Sequence, residues 1–255
     1  MPTFGFGAGA LYGTPLTDYA GNAIVNPTPV LFGTLQDVSV DISADVKELF
    51  GQNQFAEAVG RGKAKIMGKA KFARMNGLMI NSLFFGQTVT SSIVADYNDV
   101  IGTPIPTTPF TITIAPPSSG TFAADLGVRN ASGNPMVRVA SAPTTGQYSV
   151  VIGTGVYTFA AADVGLTVFI SYQYTAASTV AKTSIVNNVA MGSAPAFQVD
   201  LSDGFLGNGL TLTLYKCIAT KLAFATKQDD FLIPELDFSA FANAAGQVMK
   251  WGTSE

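Results

Sequence analysis

Alternation with a period of two constrains this chain more than any other feature. In Gln36–Ser43, Val38, Val40 and Ile42 take one set of positions and Asp37, Ser39, Asp41 and Ser43 the other. Successive side chains of a strand point to opposite faces, so the run predicts a strand with one apolar and one acidic face. Arg61–Phe72 alternates with the opposite charge. Arg61, Lys63, Lys65, Lys69 and Lys71 share a face if this is one unbroken strand, and small or apolar residues fill the even positions. That row spans about 33 Å at a rise of about 3.3 Å per residue. Acidic and basic faces directly opposite one another are favourable, so the two runs read as an antiparallel pair. Between them, Ala44–Gly60 reads as a polar excursion longer than an ordinary hairpin loop, with Asp45 placed to cap a short helical turn through Leu49.

The rest of the chain continues the β pattern with one break. Asn76–Gly86 has apolar residues at 79, 80, 83 and 84 and a glycine where a helix would stop, which predicts the principal helix, lying across the sheet. From 98 to 175 the composition turns to Pro, Thr, Ser and Gly, opening with Pro104, Pro106, Pro109, Pro116 and Pro117. Strand-like runs follow at Phe110–Ile114, Met136–Val139, Tyr148–Ile152 and Val168–Tyr174, and Gly155–Gly165 reads as a strand, a turn and the approach to the last strand. Such spacing suggests a small inserted β-sandwich. Strands resume at Phe197–Leu201 and Leu210–Thr226, where Leu210, Leu212, Leu214, Ile218, Leu222 and Phe224 are expected on one face. Phe231–Phe241 and Gln247–Trp251 supply the final pieces. The expected architecture is mainly β: a discontinuous domain of residues 1–97 and 176–255, and an external β-rich insertion at 98–175.

The residue inventory leaves little room for catalysis. There is no histidine, which removes Ser-His-Asp and Cys-His nucleophiles and most zinc sites. Asp229, Asp230, Glu235 and Asp237 form the densest acidic cluster, and a glycosidase needs only two carboxylates. Glu235 and Asp237 alternate with Leu236 and Phe238, however, which predicts solvated carboxylates on a half-exposed strand. Asp200 and Asp203 beside Gly204 lack the oxygen-rich spacing of a calcium loop. Gly5–Gly9 lacks the third glycine of a dinucleotide fingerprint. Asn130-Ala131-Ser132 matches a glycosylation acceptor by chance, since no secretion signal precedes it. The single cysteine, Cys217, excludes a disulfide framework within the chain and reads as a buried small hydrophobe. No run of eighteen apolar residues and no signal peptide is visible, so the expectation is a chain made and kept in a cytoplasm, without membrane insertion. No catalytic residue, metal ligand or cofactor is expected, and the chain is not read as an enzyme.

Charge distribution points elsewhere. Charged residues make up 12% of the chain, against about a quarter in ordinary soluble domains, as expected if much of the surface ends up against other subunits. The net charge of −3 gives no global reason for nucleic-acid affinity. Seven of the 14 Lys and Arg residues nevertheless lie between Lys47 and Arg74. A lysine row can neutralise phosphates, remain a solvated face, or pair with Asp37, Asp41 and acids of a neighbouring subunit. Charge pairing is the favoured reading, because no aromatic residue interleaves with the lysines to stack on bases.

Segment 35–86 resembles the bacteriophage tail tube (major tail) proteins: a strand, the loop Lys47–Phe55, the run Ala58–Lys71, then Asn76-Gly77 and a helix ending Phe84-Phe85-Gly86. Asp229–Phe231, Glu235–Phe241 and Ala245–Val248 resemble that family's closing strands, so that about half the chain is covered. The resemblance implies a β-sandwich subunit with one flanking helix. Six subunits would make a ring, and stacked rings a tube through which DNA is ejected without specific binding. The long loop, with Lys47, Phe50, Gln52, Gln54 and Phe55, would bridge to the next ring. Arg61, Lys63, Lys65, Lys69, Lys71, Asp37 and Asp41 would lie at ring or subunit contacts, away from a neutral or acidic lumen. The implied partners are further copies and other tail proteins, and the implied location is the virion tail, assembled in the host cytoplasm. A bulky insertion leaves little room for a sheath, which favours a non-contractile tail. Two rivals stand beside this reading. One is another β-sandwich virion component, such as a tail terminator, tube-initiating or decoration protein. The other is a carbohydrate-binding or adhesion module resting on 98–175, Tyr157, Tyr172 and Trp251, although Trp251 is expected in the core.

Overall fold

The structure is a computed structural model that describes residues 7–74, 77–205, 208–226 and 228–254. Asn76, the expected start of the helix, and Gly5 and Phe6 of the N-terminal glycine run lie outside them. The protein is mainly β. In chain order β1 (Ala10–Pro15), β2 (Val30–Leu31), β3 (Leu35–Phe50) and β4 (Ala56–Phe72) lead into helix α1 (Gly77–Ile80), which continues as a wider turn over Asn81–Phe85. Next come β5 (Val89–Thr90), β6 (Ser92–Tyr97), β7 (Thr103–Pro104), β8 (Thr111–Thr113), β9 (Thr121–Asn130), β10 (Val137–Arg138), β11 (Gln147–Val151), β12 (Val156–Phe159) and β13 (Thr167–Ala177). The chain closes with β14 (Thr183–Ser184), β15 (Ala196–Phe205), β16 (Asn208–Ala223), β17 (Glu235–Ala240) and β18 (Met249–Thr253). It divides into two compact units, Met1–Val89 with Ser184–Glu255, and Thr90–Thr183. The segment 98–175 lies inside the second, which also takes in β6.

The first unit holds one eight-stranded sheet in the order β2-β1-β15-β16-β17-β4-β3, with β18 also beside β16. Its outermost strands, β2 and β3, are consecutive in the chain and separated only by Phe32–Thr34. Four Cα steps reach at most about 14 Å, so the sheet must curl until its two edges approach one another. The rolled sheet encloses Leu11, Phe32, Phe72, Phe197, Leu214, Leu236 and Phe238, all essentially without exposure. Rings from distant strands meet edge to face inside it, Phe32 with Phe72 at 6.3 Å and Phe197 with Phe238 at 6.2 Å. Two glycines permit this packing. A Cβ on Gly68 would lie 2.1 Å from the Phe238 ring, and one on Gly13 would lie 2.6 Å from the Leu83 side chain.

The helix buries Met79, Ile80 and Leu83, the positions its periodicity marked out. It stops at Gly86, which adopts a left-handed conformation (φ 61°). The buried Asn81 side chain is engaged at both its nitrogen and its oxygen, donating to the Gln87 carbonyl at 2.6 Å and accepting from the Ser184 hydroxyl at 2.9 Å. No helix among the described residues is long and apolar enough to cross a membrane.

The face expected along Leu210–Thr226 is corrected. The core receives Leu212, Leu214, Cys217, Ala219 and Leu222, while Ile218 pairs with Ser239 on the outer face and Leu210 and Phe224 are exposed. Register shifts opposite Phe197/Val199 and between Ala219 and Lys221 each displace the alternation by one residue. Cys217 is thereby buried, and desolvation pushes its thiol up to about 12.

The second unit packs two four-stranded sheets, β10-β11-β12-β8 and β6-β13-β7 with β9 beside β13. Their shared core holds Ile105, Phe122, Val128, Tyr148, Tyr157, Phe159, Val168, Ile170 and Tyr172. Asp125 is drawn into this core with its valences filled: Tyr148 and Tyr157 hydroxyls donate to it at 2.8 and 2.9 Å, and Arg138 lies 3.6 Å away. Burial, reinforced by that carboxylate, raises the ionisation of both phenols well above the ordinary tyrosine value. A large buried aromatic core also corrects one expectation. Tyr157 and Tyr172 are interior residues and cannot form a sugar-stacking face, whereas Trp251, expected in the core, is 64% exposed.

Candidate assembly surface

The first unit leaves the outer half of the β3–β4 pair exposed. Asp37 opposes Lys71 and Ser43 opposes Lys65, confirming the antiparallel pairing, but the pairing does not stop there. It runs on to Phe50 opposite Ala56, leaving only residues 51–55 as the turn. Ala44–Gly60 is therefore not a polar loop, and Asp45–Leu49 is not helical: both fall in strands whose side chains have no core to fill. Neighbouring support ends early, since β17 pairs with β4 only from Ile66 to Lys71. Beyond Ile66 the two strands form a ribbon with both edges and both faces free among the described residues. At about 3.3 Å per residue, Ala44–Phe50 carries it roughly 23 Å outward.

Its composition is unlike a solvated loop. Val46 is 60% exposed, Val59 66%, and Phe55 at the tip 81%, with Leu49 and Phe50 also exposed. Val46 opposes Arg61 and Glu48 opposes Val59, so Val46 and Val59 share one face, which continues the core side of the sheet through Ile42 and Ala44. An isolated two-stranded ribbon is marginal in water, and a long unpaired edge is a ready template for another strand.

The opposite face of the sheet carries the charges in alternating columns. Asp37, Asp41 and Asp45 lie on β3, Lys63, Lys65, Lys69 and Lys71 on β4, Glu235 and Asp237 on β17, and Lys221 on β16. Near the body these columns neutralise one another within the chain. Glu235 accepts from Lys69 and Lys221, both at 2.8 Å; Lys71 lies 3.9 Å from Asp37, and Lys221 lies 4.0 Å from Asp237. The hydrogen bonds from Lys221 and then Lys69 hold the Glu235 carboxyl down to about 2, and the same contact with Glu235 raises Lys221. Glu235 and Asp237 are consequently not the solvated carboxylates expected: their side chains are 17% and 24% exposed. One oxygen of Asp237, Oδ1, is buried with no hydrogen-bond partner among the described residues.

The single-face lysine row is also corrected. Ala44 opposes Ala64 but Val46 opposes Arg61, so β4 carries one extra residue opposite Asp45. A bulge of this kind inverts the alternation, turning Arg61 onto the apolar face while Lys65, Lys69 and Lys71 keep the charged one. Asp41 opposes Met67, not a lysine. Lys47 opposes Gly60, and Gln52, Gln54 and Phe55 occupy the turn. Among the described residues Lys63 and Lys65 make no ion pair, because β17 has ended before it reaches them. Lys221 carries no mark of its own in the sequence. Its signal was the half-polar alternation of Glu235–Phe238, which required a basic column on the adjoining strand. The carboxylates Asp200 and Asp203 are not gathered into a cluster; Asp200 accepts from Thr213 at 2.7 Å and Gln198 at 2.8 Å. Comparison with protein-family models and with characterised proteins gives no match.

Proposed function

We propose that this chain is a self-assembling structural subunit, specifically the tube-forming subunit of a phage tail, which builds stacked rings around a DNA passage. The observation that carries the proposal is the projecting ribbon, whose apolar side chains and free edges have no use in a single chain. A second copy supplies what is missing. If the outer edge of β3 in one copy pairs with the bare edge of β4 beyond Ile66 in the next, acidic and basic columns continue to alternate across the joint. Lys63 and Lys65 then gain the acidic neighbour that β17 gives Lys69. Such a contact is heterologous, and it closes into a ring when the rotation closes. The sequence resemblance of segments 35–86 and 229–248 to tail tube proteins supports the same reading.

Electron microscopy of the purified chain at high concentration tests it. Tubes or stacked rings are expected. Discrete rings that never stack would favour a terminator or decoration protein, and a permanently monomeric chain would refute self-assembly.

A further inference from the structure

The second unit contains a hollow of about 290 Å³ lined by Asp99, Val100, Arg129, Asn130, Gly133 and Phe169. We propose that it binds a carboxylate carried on a ring-sized body, the chemistry of a hexuronate sugar. This assignment does not depend on the assembly reading.

The case rests on which polar groups in the hollow remain unused. The Asp99 carboxylate, itself buried, is consumed by backbone donors: Ile101 and Gly102 N–H at 3.0 Å to Oδ1, and Ile170 N–H at 3.3 Å to Oδ2. Asn130 Oδ1 accepts from Ser132 and Asn134 N–H, both at 3.0 Å, and shapes the turn that forms one wall. What remains is donors. Arg129 is exposed and makes no ion pair among the described residues. One nitrogen, Nη2, makes two long hydrogen bonds of 3.4 Å to neutral oxygens, the Asn98 side chain and the Asp99 carbonyl. Among the described residues its Nε and Nη1 make none, nor does Asn130 Nδ2. A guanidinium offers its donors as a planar fork that matches a carboxylate with two parallel bonds. The Ser171 hydroxyl, which donates to Asn98 Oδ1 at 3.1 Å, helps fix the group on which Arg129 leans.

Charge selects among anions. One cation lies beside one buried carboxylate, so the site carries no surplus positive charge, and a monoanion is tolerated better than a dianion such as phosphate. The walls select the body: Val100 is 77% exposed and, with half-buried Phe169, offers an apolar flank. The volume is at the lower end of ordinary ligand pockets, enough for one ring.

The test titrates the full-length chain with glucuronate, glucose and inorganic phosphate, followed by NMR shifts or calorimetry. Glucuronate is expected to bind with a dissociation constant on the order of millimolar, glucose at least tenfold more weakly, and phosphate no better than glucose. Arg129→Gln should weaken glucuronate at least tenfold with an unchanged unfolding temperature. Asn130→Asp keeps Arg129 and the turn acceptor but sets a repelling charge on the wall, and should do the same. Equal binding of glucose and glucuronate, tighter binding of phosphate, no binding of glucuronate, or undiminished binding by either variant would each overturn the assignment.

Discussion

Replacing Val46 and Val59 together with threonine probes the ribbon with the least collateral change. Threonine keeps the shape and β-branching of valine, so strand preference is retained, while one methyl per site becomes a hydroxyl. In a lone subunit both side chains face water, at 60% and 66% exposure, and surface changes of this kind stay within about 0.5 kcal/mol. At a contact between copies the same sites are desolvated. Each then loses apolar transfer energy and buries a hydroxyl, at about 1–2 kcal/mol per site by the conservative scale for such groups. The pair together weakens each contact by about 2–4 kcal/mol, roughly 30- to 700-fold in association constant. Sedimentation velocity at matched concentrations reads the association, and thermal unfolding of the dissociated subunit reads the fold. Assembly at the wild-type concentration would refute the argument. So would a fall of more than about 2 °C in subunit unfolding temperature, which would mean that the ribbon belongs to the folded body after all.

Three further outcomes follow from the body and its charges. Phe238→Ala, which empties the space under Gly68 and beside Phe197, should cost about 3–5 kcal/mol in denaturant unfolding; a loss under 1 kcal/mol would contradict the packing described. Glu235 ionises at about 2 in the folded chain against an ordinary 4.5. The charge columns therefore stabilise the subunit fully above pH 4.5, and that contribution disappears as pH falls through 2. Glu235→Gln should flatten this part of the stability profile, and an unchanged acid limb would show that the ion pairs contribute nothing. Lys63→Glu with Lys65→Glu should block assembly while leaving the Lys69 and Lys71 pairs intact, as measured by microscopy; normal assembly would make these lysines a plain solvated face.

The parts of the fold that could be read from the sequence are those where alternation survives unbroken. Val38–Ile42 against Ile66–Phe72, and Met79–Leu83 with its terminal glycine, repeat with the period of their element and could be placed directly. Bulges hid the rest. In β9, Ala123 and Leu126 are extra residues opposite β13, so the period of two is broken twice between Thr121 and Asn130 and the sequence carries no plain strand signature there. The same device hid the true face of Arg61 and of Ile218. The ribbon is hidden for another reason: Lys47–Phe55 looks like a loop because its glycine, glutamines and charges suit water, and nothing local records that two strands continue without a core. The charge ladder was half visible, since β3 and β4 are neighbours in sequence, whereas the partners Glu235 and Lys221 lie more than 140 positions further along the chain.

Where the chain passes from one unit to the other it does so on adjacent strands, β5 and β14, which pair with each other. Outgoing and returning backbones are thus held about 4.8 Å apart, whatever lies between them. That arrangement is a socket: any domain whose two ends emerge one strand-spacing apart can be plugged in without rethreading the sheet of the first unit. Graft and carrier can then change in sequence independently of one another.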